Sequence, residues 1–162
     1  MRLVRHLFNS AVRTRMLFTP AVCGKIEAAI TEAERRHCGE IRFAVETALP
    51  LPAIWRGVAP RARALQLFAQ LHVWDTEANN GVLIYVLRAD RAVEIVADRG
   101  ISRYVADSEW QMLCREVEIH FRTGRYAEGS LAAVEGVARL LGRHFPRGGP
   151  ASNELPNQPV LL

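Results

Sequence analysis

The feature that most constrains this chain is a run of six consecutive apolar residues, 82–87, which directly follows Gly81. A strand with one buried face alternates apolar and polar residues. An uninterrupted run is therefore typical of a central strand that is covered on both faces. A short turn over residues 88–91 and a second apolar segment, Ala92–Ala97, come next. The sequence thus predicts an antiparallel hairpin whose first strand lies in the middle of a sheet.

The rest of the chain has the periodicities of helices and of one further strand. Glu40–Glu46 alternates, with Ile41, Phe43 and Val45 on one face, and is predicted to be a strand. Apolar residues recur at helical spacing in five segments: residues 2–12, Pro20 to a stop before Gly39, residues 61–73, Asp107 or Ser108 to a stop at Gly124, and residues 126–145. This order predicts an α/β fold, a three-layer α/β/α sandwich with a mixed sheet of three to four strands.

Composition along the chain predicts one domain with two appendages. Residues 19–145 hold all the strongly periodic segments and are long enough for a single core. Residues 1–18 form a basic amphipathic arm. Residues 146–162 are rich in Pro, Gly and Asn and are predicted to be a mobile tail, with docking of its apolar end, Val160 to Leu162, as the alternative.

Positive charge is concentrated at the start of the chain. Residues 1–26 carry five basic side chains and no acid, so residues 27–162 sum to −1 of a total of +4. A nearly neutral body argues against nucleic-acid binding, which requires a basic face. We expect either peripheral contact of residues 2–15 with anionic membrane lipid or an acidic partner, or packing of this helix on its own domain.

The chain is expected to be cytoplasmic. No apolar run approaches the roughly 20 residues that cross a bilayer, and the arm has no apolar segment typical of a secretory signal. Three cysteines without a Cys-x-x-Cys pair suit reduced thiols. If the basic arm meets lipid, the protein would lie at the inner face of the membrane.

The polar loop before residue 82 is the candidate ion site. Its oxygen-bearing residues are Asp75, Glu77, Asn79 and Asn80, and Asp98 follows the second hairpin strand. Alternating oxygen ligands suit a hard cation, so Ca²⁺ or Mg²⁺ is the expected cofactor if there is one. The alternative is a solvated loop whose Asn and Asp residues were selected for turn geometry.

A second candidate site, for an anion, is the turn that contains Arg99 and Gly100. Here Arg99 and a backbone N–H exposed by Gly100 could orient an anion. The alternative is a surface turn in which Asp98 and Arg99 pair.

No catalytic residue is predicted. Cys38 and Arg42 are separated by three residues, whereas a cysteine phosphatase loop needs five, and a phosphate loop should open a helix instead of following one. Gly-x-Ser-x-Gly, Walker and Gly-x-Gly-x-x-Gly motifs do not occur.

The ordered motifs of this region resemble those of the TPM domain family. They are Asn-Asn-Gly ending at Gly81, the strand VLIYVL, the turn at Asp90-Arg91, the strand VEIVA and, after Gly100, the segment FRTGRY that starts at Phe121. The resemblance extends from Cys38 to Leu141. The chain departs from the common pattern at Asn79, where many members have Asp, and at residues 98–102, where many have Gly-Tyr-Gly-Leu-Glu.

The resemblance implies an α/β/α fold with a polar crevice near the strand ends. Some relatives bind calcium, a plant relative is described as an acid phosphatase, and bacterial members are often associated with LemA-like membrane proteins. We therefore expect a non-catalytic module that binds a protein partner and a divalent ion. The alternative is a weak metal-assisted phosphatase acting on phosphomonoesters, with Asp75, Glu77 and Asp98 as ligands and Arg99 holding the phosphate.

Overall fold

The computed structural model describes residues 2–9, 11–148 and 153–162. The helices are α1 (Arg2–Phe8), α2 (Ala11–Leu17), α3 (Pro20–Glu34), α4 (Leu51–Trp55), α5 (Pro60–Gln70), α6 (Arg99–Ser102), α7 (Asp107–Arg122) and α8 (Tyr126–His144). The strands are β1 (Glu40–Glu46), β2 (Gly81–Leu87), β3 (Ala92–Ala97) and β4 (Val160–Leu161). None of the described helices is long and apolar enough to span a membrane.

The four strands form one mixed sheet in the order β3-β2-β1-β4. Strand β1 is parallel to both β2 and β4, whereas β2 and β3 form the predicted antiparallel hairpin. In this register Glu40 lies opposite Gly81, and Val82 lies opposite Ala97. The starts of β1 and β2 and the end of β3 consequently meet at one end of the sheet.

The two faces of the sheet pack against different helices, which confirms the predicted α/β sandwich. Ile41, Phe43 and Ile84 point into a core formed with α3, α7 and α8. Leu83 and Tyr85 point to the opposite core, which contains Leu67 of α5 and side chains from the end of the chain. All seven residues of β2 are buried, which accounts for its uninterrupted apolar run.

Local signals in the sequence determine where the two best-marked helices begin. The N–H of Val22 donates to Thr19 Oγ1 at 3.3 Å, and Pro20 occupies the first turn of α3. At the start of α7, Glu109 Oε2 accepts the N–H of Ala106 at 3.2 Å, and Asp107 adds negative charge at the positive helix end.

The basic arm is helical, and polar contacts hold its first helix to the domain. One helix over residues 2–12 was predicted, whereas the structure has two, α1 and α2, the second of which ends at Leu17. Ser10 is outside the described residues. The apolar side chains of this segment are exposed: Leu3, Val4, Leu7, Phe8 and Val12. Polar contacts hold α1, since His6 Nδ1 accepts the N–H of Leu49 at 2.9 Å and Arg2 pairs with Asp90 at 2.8 Å.

The prediction of a mobile tail is wrong for residues 153–162, which lie against the sheet. Leu162 donates its N–H to the Val45 carbonyl at 2.8 Å and accepts the N–H of Thr47 at 3.0 Å. Arg42 donates to the carbonyls of Pro156 and Gln158 at 2.6 and 2.5 Å, and the side chain of Leu155 is buried. Composition alone does not reveal these contacts, which hold the segment against the sheet. Residues 149–152 lie outside the described residues.

Candidate functional site

The polar loop before β2 is a tight turn built around Thr76. The Thr76 carbonyl accepts the N–H of Asn79 at 3.1 Å, and its hydroxyl oxygen accepts the N–H of Asn80 at 3.0 Å. Asn79 has a φ of 52°, a left-handed conformation that asparagine tolerates better than most residues. This turn fixes the positions of both asparagines relative to the start of β2.

The turn after β3 is held against this loop. Asp98 Oδ1 accepts the N–H of Arg99 at 2.6 Å and caps the short helix α6. Asn79 accepts twice from this turn: its carbonyl binds the N–H of Gly100 at 3.0 Å, and its Oδ1 binds Arg99 Nε at 3.0 Å. The hairpin pairing therefore brings together five predicted site residues: Asn79, Asn80, Asp98, Arg99 and Gly100. We call this group the loop–turn site.

Gly100 is required by the close approach of the two turns. A Cβ atom at this position would lie 2.4 Å from the carbonyl oxygen of Asn79 and 2.8 Å from that of Ala78. Both distances are far shorter than a carbon–oxygen contact allows. The glycine thus serves the packing of backbone on backbone, which is a structural reason for its presence in the motif.

Two side-chain oxygens of the loop–turn site are buried without a donor. Asn80 and Asp98 are 8% and 9% exposed. Among the described residues, Asn80 Oδ1 and Asp98 Oδ2 have no hydrogen-bond partner, although Asn80 Nδ2 donates to the Cys38 carbonyl. Each such oxygen costs about 1–3 kcal/mol of stability, so the arrangement calls for a donor or a cation.

The other two predicted ligands are not gathered into this site. The side chains of Asp75 and Glu77 are exposed, and Glu77 contributes only its backbone N–H, which donates to Glu154 Oε2 at 2.9 Å. Across residues 2–9, 11–148 and 153–162, no three His, Cys, Asp or Glu side chains are grouped as a metal-binding set. A role for Asp75 and Glu77 as ligands stays a prediction.

The family model described as the TPM domain matches residues 12–140, which is most of the sequence. The chain belongs to the TPM domain family.

Solved structures resemble this TPM domain along most of its length. The BA42 protein from the psychrophilic bacterium Bizionia argentinensis is 29% identical, with a TM-score of 0.75 over 88% of this chain and 94% of that one. The N-terminal domain of a protein from P. gingivalis is 24% identical, with a TM-score of 0.63 and 83% of each chain covered. None of the curated proteins compared with the chain matches it.

A more distant structure shows the same fold. The N-terminal domain of a protein from Corynebacterium glutamicum is 15% identical, with a TM-score of 0.57 over 83% of this chain and 79% of that one. Family membership thus agrees with the resemblance read from the hairpin motifs. Both α1 and β4 lie outside the residues that the family model matches.

Three buried titratable groups of the TPM domain lie between the end of α3 and the start of β1, and they were not singled out from the sequence. Glu40 Oε2 accepts the N–H groups of Glu154 and Leu155 at 3.1 and 3.2 Å, and burial raises its pKa. Burial also raises the pKa of Glu34 to about 7 and lowers that of His37 to about 4. Their burial depends on the end of the chain and on the α3–β1 connection, which periodicity does not reveal.

Proposed function

We propose that this TPM domain is a non-catalytic module that binds a protein partner and takes up a divalent cation at the loop–turn site. The observation that carries the cation is the pair of buried oxygens, Asp98 Oδ2 and Asn80 Oδ1, which lack a donor within the described residues. A hard cation such as Ca²⁺ or Mg²⁺ would satisfy both, because carboxylate and amide oxygens are its preferred ligands.

The fit to a cation is partial, which implies weak binding. Calcium takes about 6–8 oxygen ligands, whereas this site supplies one buried carboxylate and one amide oxygen without other partners. Water must complete the shell, with the exposed Asp75 and Glu77 as candidate additional ligands. We therefore expect dissociation constants of about 10⁻⁴–10⁻³ M.

The side chains at the site favour binding over catalysis. They comprise one carboxylate, two amides and one guanidinium, and none of them forms a pair of nucleophile and base. The phosphatase alternative is favoured by a single observation, the exposed Arg99 beside the buried carboxylate. Arg99 would hold a phosphate whose oxygen the metal polarises.

The proposed partner is a LemA-like membrane protein, as the family resemblance implies. The domain would bind it at the cytoplasmic face of the membrane. The outward apolar side chains of α1 and α2 support a location next to lipid. Phe8, Val12 and Met16 are exposed, and Arg5, Arg13 and Arg15 accompany them. Basic and apolar side chains on one short segment suit peripheral contact with an anionic membrane.

The cation is tested by recording amide NMR spectra while Ca²⁺, and then Mg²⁺, is added to chelator-treated protein. We expect saturable shifts confined to residues 79–81 and 98–102. Asp98→Asn should abolish them, whereas Glu27→Gln, which removes the same charge from an exposed position on α3, should weaken binding about twofold or less. Equal losses in both variants would indicate a general effect of charge and would overturn the site.

A second measurement separates the module from the enzyme. If millimolar metal causes no shift, the ion site and the phosphatase are both excluded, and a partner-binding module remains. Metal-dependent hydrolysis of p-nitrophenyl phosphate that is lost in Arg99→Gln would instead establish the alternative. Co-purification with a LemA-like protein in detergent tests the partner.

A further inference from the structure

The end of the sheet opposite the loop–turn site contains a pocket lined by arginines. It has a volume of about 430 Å³ and lies between α1, the β2–β3 turn and the start of α8. Arg5, Arg13, Arg88 and Arg91 line it, together with Phe8 and Tyr126. We call it the arginine pocket. Strand β2 separates it from the loop–turn site by about 20 Å.

Arg88 is the unusual residue of this pocket because two nitrogens of its guanidinium are buried without a hydrogen-bond partner among the described residues. The residue is 4% exposed, and within the described residues Nε and Nη2 have no hydrogen-bond partner. Buried arginines are almost always paired, since removing a cation from water is costly. Burial lowers the pKa of Arg88, Arg13 lowers it further, and the neighbouring Tyr126 hydroxyl raises it.

Asp90, the acidic side chain nearest to Arg88 in sequence, forms an ion pair with only one of the four described arginines of the pocket, Arg5. Among the described residues, none that lines the pocket is Asp or Glu. Asp90, in the same turn, is already engaged: its carboxylate lies 2.8 Å from Arg2, 3.2 Å from His6 and 3.7 Å from Arg5. Tyr126 begins α8, a helix of 19 residues, so the positive end of its dipole lies at the same wall.

We propose that the arginine pocket binds a phosphate group, carried either by an anionic phospholipid or by a small phosphorylated molecule. Several guanidinium groups lie around one cavity, so a ligand with more than one negative charge suits it better than a ligand with a single carboxylate. The planar guanidinium group also forms paired hydrogen bonds with phosphate oxygens. Nε and Nη2 of Arg88 are covered by protein atoms. An anion therefore engages them only when side chains at the rim move aside.

The rim of the pocket is compatible with both sources of phosphate. Val4 and Phe8, which also line it, are 54% and 82% exposed. Apolar side chains beside a phosphate site would contact the acyl region when the ligand is a lipid headgroup. The arginine pocket is separate from the loop–turn site, so a negative binding result at one of them does not contradict the proposal for the other.

The first arm of the test measures inorganic phosphate binding by amide NMR and by thermal unfolding. We expect shifts at residues 88–91 and 126–127 and a melting temperature that rises with phosphate. Arg88→Met keeps the volume and removes the buried cation, and it should weaken phosphate binding about tenfold or more. Arg91→Gln alters an exposed side chain of the pocket and should weaken phosphate binding several-fold. It tests the pocket even if Arg88→Met does not fold.

The matched control is Arg139→Gln, which removes the same charge from an exposed position on α8 that lines another part of the surface. It should leave phosphate binding unchanged. If Arg139→Gln weakens binding as much as the two pocket variants, or if neither pocket variant weakens it, the proposal is overturned. Absence of any phosphate binding together with absence of vesicle binding also overturns it.

The second arm identifies the source. Flotation with vesicles of phosphatidic acid in phosphatidylcholine, against phosphatidylcholine alone, should show Arg88-dependent binding if the ligand is a lipid headgroup. Phosphate binding without such vesicle binding assigns the pocket to a small phosphorylated molecule. Vesicle binding that is the same in Arg88→Met reflects only the general charge of the arm and contradicts the lipid source.

Discussion

At the scale of single residues, the members of the loop–turn site differ in burial: Asn80 and Asp98 are buried, whereas Arg99 is exposed. The predicted hairpin implies that Asn79, Asn80, Asp98, Arg99 and Gly100 meet, and the structure brings them together. Burial then separates Asp98 and Asn80 from the exposed side chains of the same loop. That distinction depends on how an irregular segment folds back on the sheet, and alternation in a loop contains no such information.

Gly100→Ala tests the backbone contact between the two turns. The added Cβ would lie 2.4 Å from the Asn79 carbonyl oxygen, so the turns must separate. We expect the free energy of unfolding in urea to fall by about 2–4 kcal/mol. Gly24→Ala in α3 is the control, because nothing lies within 4 Å of its added Cβ, and it should be neutral or raise stability by about 0.5–1 kcal/mol. Equal effects at both positions would contradict the contact.

The burial of Arg88 could not be predicted from the sequence. In the sequence it is the first residue of a turn, a position where an arginine is normally solvated. Only the packing of α1 and α8 over the β2–β3 turn buries it, and both helices are distant in sequence. The charge distribution along the sequence shows an excess of basic residues in 1–26, but it does not show that Arg88 and Arg91 share a pocket with Arg5 and Arg13.

At the scale of elements, the predicted ranges agree best for the strands that have a strong period. The ranges predicted for Glu40–Glu46 and Ala92–Ala97 agree with β1 and β3. Strand β4 was missed because it has two residues and follows Pro, Asn and Gln, so it has no measurable period. A helix was predicted over the residues of α1, but the polar contacts of His6 and Arg2 that hold it to the domain were not.

Leu155→Ala tests the attachment of the terminal segment. Leu155 is 5% exposed and packs with Leu83 and Tyr85 in the core beside α5. Removing its side chain should lower the free energy of unfolding by about 2–4 kcal/mol. Leu162→Ala, at an exposed side chain, should cost less than about 0.5 kcal/mol. A small effect at both positions would mean that residues 153–162 add little to the fold.

At the scale of the whole molecule, the fold follows from element order, whereas the pH response follows from burial. The α/β class was predictable because apolar strands alternate with amphipathic helices. The ionisation of Glu34 and His37 was not predictable, because both lie at or just after the end of α3, where the sequence pattern indicates solvent exposure. Glu34 accepts the N–H of Ile41 at 2.9 Å and an N–H of Asn157 at 2.9 Å, and these partners lie far apart in sequence.

Glu34→Gln tests the pH response. The pKa of Glu34 is raised from 4.5 to about 7, so folding favours its neutral form, and wild-type stability falls as pH rises through this window. The variant should be more stable than wild type by about 1–3 kcal/mol at pH 8, with the difference shrinking towards pH 4.5. Asn157 Oδ1 lacks a partner within the described residues, so an amide flip lets it accept from the new glutamine.

His37 gives the internal comparison for this experiment. Its pKa is lowered from 6.5 to about 4, so its contribution is lost as pH falls through that range, opposite in sign to that of Glu34. In Glu34→Gln the opposing effect of His37 should become visible as a loss of stability between pH 6.5 and 4. Urea unfolding at pH 5, 6.5 and 8 measures both effects. A difference between variant and wild type that is independent of pH would refute the raised pKa.

The position of β4 beside β1 also affects how the protein is made. The ribosome releases β1, β2 and β3 first, then α7 and α8, and the residues that cover the free edge of β1 emerge only after them. Until that moment a newly synthesised chain presents unpaired backbone groups along β1, where another nascent chain could pair. Slow synthesis of the last part of the chain should therefore increase its dependence on chaperones.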